Sequence, residues 1–161
     1  LFPYTTLFRS GEDAEYLKKH KIQYEIVPGI TSGIGSATYA GIPLTHRKFA
    51  SSVVFVTGHE DSEKKKEDVR WKKLAKSTDT IVIMMGLARI SKICKQMSEG
   101  GMEKNTPVAV IQDGTTSKQK MITGTISNIA QKVKQSKIKP PSIIIIGKVV
   151  SLSKTIGWRK K

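Results

Sequence analysis

The sequence is poor in cysteine, histidine and long apolar runs. Its 161 residues contain one cysteine, Cys94, which excludes an internal disulfide and most cysteine-based metal sites. The histidines, His20, His46 and His59, are scattered without metal-ligand spacing, so we expect no metal site. The longest apolar stretches have only the length of a strand, and the opening residues lack a signal-peptide core, so we expect no membrane association. These absences predict a globular protein of a reducing, cytoplasmic setting.

The common nucleotide and hydrolase motifs are also missing. No Walker loop, G-x-S-x-G elbow or G-x-G-x-x-G follows an apolar run, so a serine or cysteine nucleophile has no support. Cys94 falls in the helical spacing of Ile90, Ile93 and Met97, which predicts core packing and not catalysis.

Charge is abundant but of one sign. The net charge is +15, and after Asp113 the chain has eleven lysines and arginines and no acidic residue. Such a surface is either a solvated face or a binding surface for a polyanion. Aromatic residues make up only 6% and are not interleaved with the lysines, which counts against a stacking platform for nucleic acid. We therefore expect no nucleic-acid partner, although a basic nucleic-acid-binding module stays open as an alternative.

Apolar strands alternate with helices along most of the chain, which predicts an α/β fold with one antiparallel neighbour in the sheet. The tail after residue 151 is expected to be loosely ordered. The predicted helices cover 11–20, 31–40, 87–98 and 126–135, and the predicted strands cover 23–27, 51–57, 78–85, 107–112, 118–125 and 142–146.

Three apolar strands end in small or flexible residues. These ends are PGITS at 28–32, MMG at 84–86 and QDGT at 112–115. Open α/β sheets bind ligands at the carboxyl ends of their strands, so these segments predict a binding site. Two alternatives stay open, because Met85 could fill the core and Gly114 could serve a tight turn.

Several motifs, in this order and spacing, resemble the uroporphyrinogen-III C-methyltransferases of the tetrapyrrole methylase family. They cover much of the chain from residue 11 to about 150. They are VPGITS followed by AGIPLTHR at 27–47, FVTGHE at 55–60, MMG at 84–86, TPVAVIQDGTTSKQK at 106–120, GTI at 124–126 and IIIIGKVV at 143–150.

The resemblance implies a class III methyltransferase fold of two α/β domains that binds S-adenosylmethionine and acts as a homodimer. It implies methylation of uroporphyrinogen III at C2 and C7 to give precorrin-2 for sirohaem or cobalamin biosynthesis, with S-adenosylhomocysteine as the second product. A methylase of the same fold that acts on another acceptor stays open as an alternative.

The resemblance also implies site residues. Thr31, Ser32, Met85 and Gly114 match cofactor-binding positions, whereas no catalytic residue is implied. The acceptor carries eight carboxylates, and cationic side chains suit such a ligand. We therefore expect His46 and Arg47 to contact it, with an interdomain ion pair as the alternative role of Arg47.

Residues 1–10, LFPYTTLFRS, match no part of the family pattern and are expected to be an artefact. Residues 11–48 then correspond to the end of an N-terminal domain with the interdomain link, and residues 49–161 to a complete C-terminal α/β domain. The chain is thus expected to be N-terminally truncated and to have weak or no methyltransferase activity alone.

Overall fold

The computed structural model describes residues 11–58 and 69–158. The chain divides into two compact units, and the division falls between Thr31 and Ser32. The domain boundary expected near residue 48 stays a prediction. Most of the charged segment expected between residues 59 and 76 lies outside the described residues.

Among its described residues, 11–31, the first unit contains one helix, α1 (Gly11–Lys19). Acidic side chains in its first turn and lysines in its last turn complement the helix dipole. The prediction of a strand at 23–27 is wrong, since the chain from 22 to 31 has no regular secondary structure. Its apolar side chains are exposed, with Val27 at 63%. The apolar pattern suits a strand, but a strand also needs a neighbouring strand for its backbone groups, and none of the described strands pairs with residues 23–27.

The second unit is built on a five-stranded sheet in the order β1-β2-β5-β3-β4. The pair β1 and β2 is parallel, and the other three pairs are antiparallel. This mixed sheet confirms the predicted α/β class and the antiparallel neighbour of β3. The strands are β1 (Val53–Thr57), β2 (Thr80–Met84), β3 (Pro107–Gln112), β4 (Lys120–Thr125) and β5 (Ser142–Ile146).

Side chains of each strand alternate between two apolar layers. Ile81 and Ile144 join one core, while Val82 and Ile145 join the other. The first core packs against three helices, and the second packs against α2 and the C-terminal turns. The helices are α2 (Ser32–Tyr39), α3 (Trp71–Ser77), α4 (Ile90–Glu99) and α5 (Ile129–Ser136), with a 3₁₀ turn at Leu87–Arg89 before α4.

Cys94 lies inside the first core, as its helical spacing predicts. Burial raises the pKa of its thiol to about 11, because the apolar surroundings disfavour the thiolate. The thiol is therefore protonated and unreactive near neutral pH.

The expectation of a loosely ordered tail from residue 151 is wrong for its described part, residues 151–158. A 3₁₀ turn (Lys148–Leu152) is followed by α6 (Ser153–Ile156). Val149 and Val150 are 0% and 2% exposed within the second core, so apolar burial fixes the start of this segment. No helix among the described residues is long and apolar enough to cross a bilayer.

One carboxylate joins the amino ends of β1 and β2. Oδ2 of Asp79 accepts hydrogen bonds from the backbone N–H groups of Ser51 (2.8 Å) and Ser52 (3.0 Å) and from both serine hydroxyls (3.0 Å each). These donors, led by the Ser51 N–H, hold the pKa of Asp79 below its usual value of 3.8. The carboxylate therefore fixes how β1 enters the sheet.

Replacing Asp79 with alanine should lower the free energy of unfolding by about 1 kcal/mol, since charged hydrogen bonds at an exposed site are screened. The lowered pKa means that this stabilisation is complete above the unfolded pKa of about 3.9 and is lost as pH falls through the folded value. Urea unfolding of Asp79→Ala and the unchanged chain should thus converge in strong acid. A difference that persists there would contradict this role.

Candidate functional site

The sheet topology brings three loops to one edge. Because β1 and β2 are parallel, Thr57 and Met84 end side by side. Because β5 is antiparallel to both β2 and β3, Ile143 pairs with Met84 on one side and with Ile111 on the other. The carboxyl ends of β1, β2 and β3 therefore lie on the same edge, which we call the carboxyl edge.

Met85 occupies this edge in an unusual conformation. It directly follows β2 and has a φ of +54°, a region that non-glycine residues seldom adopt. Its side chain is 47% exposed, whereas its neighbour Met84 packs against the second core. The core-filling alternative for Met85 is thus wrong, and a flexible thioether is presented at the carboxyl edge.

The loop after β3 is strained on both sides of Gly114. Asp113 and Thr115 have φ values of +47° and +72°. Such conformations cost free energy and concentrate at functional sites. The Thr116 N–H closes a turn by donating to the Asp113 carbonyl (3.2 Å), so the turn expected as an alternative at Gly114 is present.

Helix α2 crosses above the carboxyl edge at close range. A Cβ at Gly33 would lie 2.8 Å from a ring carbon of Phe55 and 3.0 Å from a methyl of Val82, so glycine is needed for the helix to approach β1 and β2. Farther along the helix, the Ser36 side chain fills the space that a Cβ at Gly114 would take. Small residues therefore let one helix pack closely on β1 and β2 and contact the loop after β3.

The loops after β1 and β2 also need glycine. The Gly58 N–H donates to the Met84 carbonyl (2.7 Å), and a Cβ on Gly58 would collide with Gly86. The backbone beside Met85 is thus close-packed, with no room for a side chain at Gly58 or Gly86.

The predicted cofactor residues divide between the two units. Thr31 is the last residue of the first unit and is partly buried. Ser32 is the exposed first residue of α2, next to the glycine that lies over β1 and β2. The second unit therefore places Met85 and Gly114 at the carboxyl edge, and Ser32 at the start of the helix that packs over β1 and β2.

His46 and Arg47 lie elsewhere. His46 and Ala50 exchange backbone hydrogen bonds of 2.8 and 2.9 Å in a tight turn just before the Asp79-bound serines. The imidazole Nδ1 accepts a hydrogen bond from the Lys48 N–H (3.2 Å) and the ring lies 5.0 Å from that of Phe49. This turn precedes the amino end of β1, so the structure does not bring His46 and Arg47 to the carboxyl edge.

Two residues near this edge were not predicted from the sequence. Ser36 contacts Gly114, and Gln119 donates to the Tyr39 carbonyl (3.3 Å) and accepts from the Thr115 N–H (2.9 Å). The run of small residues in 32–37 is a signal for Ser36, because such a helix can approach a backbone closely. Gln119 has no signal of its own, since its role depends on a contact with Tyr39, 80 residues earlier in the sequence.

The chemistry of this edge suits an organic ligand with polar and apolar parts. It offers a hydroxyl at the start of α2, a half-exposed thioether and glycine-containing loops that a ligand can approach. Among residues 11–58 and 69–158, no group of three side chains could hold a metal ion.

Comparison with known proteins identifies the family. The model of the Tetrapyrrole (Corrin/Porphyrin) Methylases matches residues 6–130, more than half of the chain. The chain belongs to the tetrapyrrole methylase family. Its α/β architecture is the class III fold of the solved tetrapyrrole methylases, which confirms the expectation drawn from the sequence motifs.

Individual tetrapyrrole methylases show the same relationship. The chain is 47% identical over 150 residues to the uroporphyrinogen-III C-methyltransferase of Bacillus subtilis and 45% identical over 150 residues to the siroheme synthase of Nitrosomonas eutropha. These alignments cover 93% of this chain but 31% of either relative, so the chain spans about a third of their length.

A solved structure resembles the chain over nearly its whole length. The uroporphyrin-III C-methyl transferase from Thermus thermophilus, complexed with S-adenyl homocysteine, has a TM-score of 0.77 and 27% identity. The match covers 92% of this chain and 63% of that one.

Replacing Gly114 with alanine should force α2 away from the loop and lower the free energy of unfolding by about 1–3 kcal/mol, as overpacking does. Adding Ser36→Gly should make the double variant lose less than the sum of the single losses, since the colliding side chain is gone. Urea unfolding of the four proteins measures this coupling. Gly11→Ala is the control, because nothing lies within 4 Å of its added Cβ. Additive losses would contradict the contact.

Proposed function

We propose that this chain is part of an S-adenosylmethionine-dependent C-methyltransferase that converts uroporphyrinogen III to precorrin-2 by methylation at C2 and C7. The observation that carries the proposal is the strained, half-exposed Met85 at an edge shared with the strained loop around Gly114. The names of the relatives support the same reaction class. The 47% identity to the uroporphyrinogen-III C-methyltransferase of Bacillus subtilis favours uroporphyrinogen III as the acceptor, over the acceptors of other methylases with the same fold.

The residues at the carboxyl edge fit the proposed cofactor. We assign cofactor contacts to Thr31, Ser32, Met85 and Gly114. The Ser32 hydroxyl can donate to a carboxylate or ribose, the loop at Gly114 lets a ligand approach the backbone, and the Met85 thioether is a soft apolar neighbour. When bound, S-adenosylmethionine supplies an electrophilic methyl carbon on a sulfonium sulfur.

The remaining catalytic task for the chain is alignment. A pyrrole carbon of the proposed acceptor is electron-rich and needs no strong base before it attacks a methyl carbon, so holding the two carbons in line supplies most of the rate. Asp113 is the carboxylate in the loop after β3, and its Oδ2 already accepts a hydrogen bond from the Gln112 amide (2.8 Å). Its position and this bond suit a role in holding the loop.

Electrostatics favour an acidic acceptor at the same edge. Lys120 begins β4 opposite Gln112, and the Lys139 N–H donates to the Gln112 Oε1 (2.9 Å), so both lysines lie near the end of β3. Both side chains are exposed and can reach carboxylates that project from an acceptor. The contact of His46 and Arg47 with the acceptor stays a prediction, and their place near the amino end of β1 gives it no support within this unit.

The assembly and pathway are also proposals. A homodimer, a cytoplasmic location and a product used for sirohaem or cobalamin follow from the family resemblance. Because the chain spans about a third of the two relatives described, we test the proposal by binding and not by turnover.

Replacing Met85 with alanine should weaken the binding of S-adenosylhomocysteine about tenfold, since an apolar contact with the ligand is removed. Isothermal titration calorimetry of the unchanged chain and the variant measures this loss. Met121→Ala is the matched control, because Met121 is 38% exposed and lies on β4, three strands from β2.

Equal weakening by Met121→Ala, or no binding by the unchanged chain, would overturn the assignment. Binding of RNA that weakens steeply with salt, with no binding of S-adenosylhomocysteine, would instead support the nucleic-acid alternative.

A further inference from the structure

The carboxyl end of α2 is held by side chains from distant parts of the sequence. The Thr38 carbonyl accepts a hydrogen bond from the indole N–H of Trp158 (3.1 Å), and the Tyr39 carbonyl accepts one from the amide Nε2 of Gln119 (3.3 Å). The rings of Tyr39 and Trp158 also meet edge to face, with centroids 5.3 Å apart. The last carbonyls of a helix lack i+4 partners within the helix. The Thr38 carbonyl also accepts from the Gly41 N–H (3.0 Å), so Trp158 adds a second donor there, while Gln119 supplies a donor to the Tyr39 carbonyl.

Such support matters because α2 is short and rich in small residues. It has eight residues, two of them glycine, and isolated helices of this length are marginal in water. Its position over the carboxyl edge therefore depends on tertiary contacts more than on its own helix propensity.

Gln119 does more than cap the helix. Its Oε1 accepts a hydrogen bond from the Thr115 N–H (2.9 Å) while its Nε2 donates to the Tyr39 carbonyl. One amide group thus bridges the strained loop after β3 and the end of α2. The bridge and the contact between Ser36 and Gly114 hold the same two segments together at two points.

We propose that Gln119 is a positioning residue that sets the spacing between α2 and the loop at Gly114, and through it the spacing of Ser32 from Gly114. The inference rests on the proposed function, because those two residues are assigned to the cofactor. Gln119 itself acts through the backbone of Tyr39 and Thr115. Both ends of the amide are used, so neither a carboxylate nor a smaller side chain can replace it.

Two substitutions separate the two ends of this bridge. Gln119→Ala removes both hydrogen bonds. Gln119→Glu keeps an acceptor for the Thr115 N–H but loses the donor to the Tyr39 carbonyl. Gln131→Ala is the matched control, since Gln131 is an exposed glutamine on α5.

The first measurement is amide hydrogen exchange without ligand. We expect faster exchange in α2 for both Gln119 variants, faster exchange at Thr115 only for Gln119→Ala, and unchanged exchange in β2 and β5. The second measurement is calorimetric titration with S-adenosylhomocysteine, in which Gln119→Ala should bind about tenfold more weakly than Gln131→Ala.

The outcomes distinguish the proposal from a general loss of stability. Faster exchange throughout β2 and β5 would show a merely structural role and overturn the proposal, as would unchanged affinity or unchanged exchange in α2. Failure of the unchanged chain to bind S-adenosylhomocysteine would overturn the proposed function itself, whereas normal binding by all variants would overturn the positioning role alone.

Discussion

The arrangement of the candidate site depends on one strand, β5, which lies between β2 and β3 and pairs with both. Its four isoleucines are almost wholly buried and fill the apolar layers on both faces of the sheet. The strand pairs with both neighbours in one register. Because Ile143 pairs with Met84 and Ile111 together, this register sets how far the loops after β2 and β3 lie from each other.

Helix α2 then converts an edge of the sheet into a candidate binding site. Gly33 lets the helix approach Phe55 and Val82, while Gly114 lets the loop after β3 approach Ser36. The small residues contribute little apolar surface and low helix propensity, so side-chain contacts at the end of the helix supply much of its stability. The small side chains that permit close approach also leave α2 with little stability of its own, so its position depends on the contacts of Gln119 and Trp158.

Much of this architecture could be predicted from the sequence. Strands such as β3 and β5 are short apolar runs with clear ends, and their pattern follows from burial on both faces. The segment 23–27 shows the limit of that reasoning, because an apolar pattern specifies a strand only when a neighbour pairs with it. The tail from 151 is polar along most of its length. Its described part, residues 151–158, is anchored by the two buried valines that precede it and by contacts of Trp158 with α2 that no local pattern shows. At the site, Met85 and Gly114 follow apolar runs and could be predicted from the sequence, whereas Gln119 is identified only by the two backbone groups that its amide joins, one in its own loop and one 80 residues away.

The most direct test of the account is the mapping of ligand contacts by nuclear magnetic resonance, with amide shifts of the isotopically labelled chain followed during titration with S-adenosylhomocysteine. If the cofactor binds where we propose, the largest shifts cluster around the carboxyl edge and the start of α2. The residues concerned are Ser32, Gly33, Gly58, Met85, Gly86, Gly114 and Thr115. Shifts centred on the opposite end of the sheet, at Ser51, Ser52 and Asp79, or on the exposed lysines of α5, would contradict this proposal.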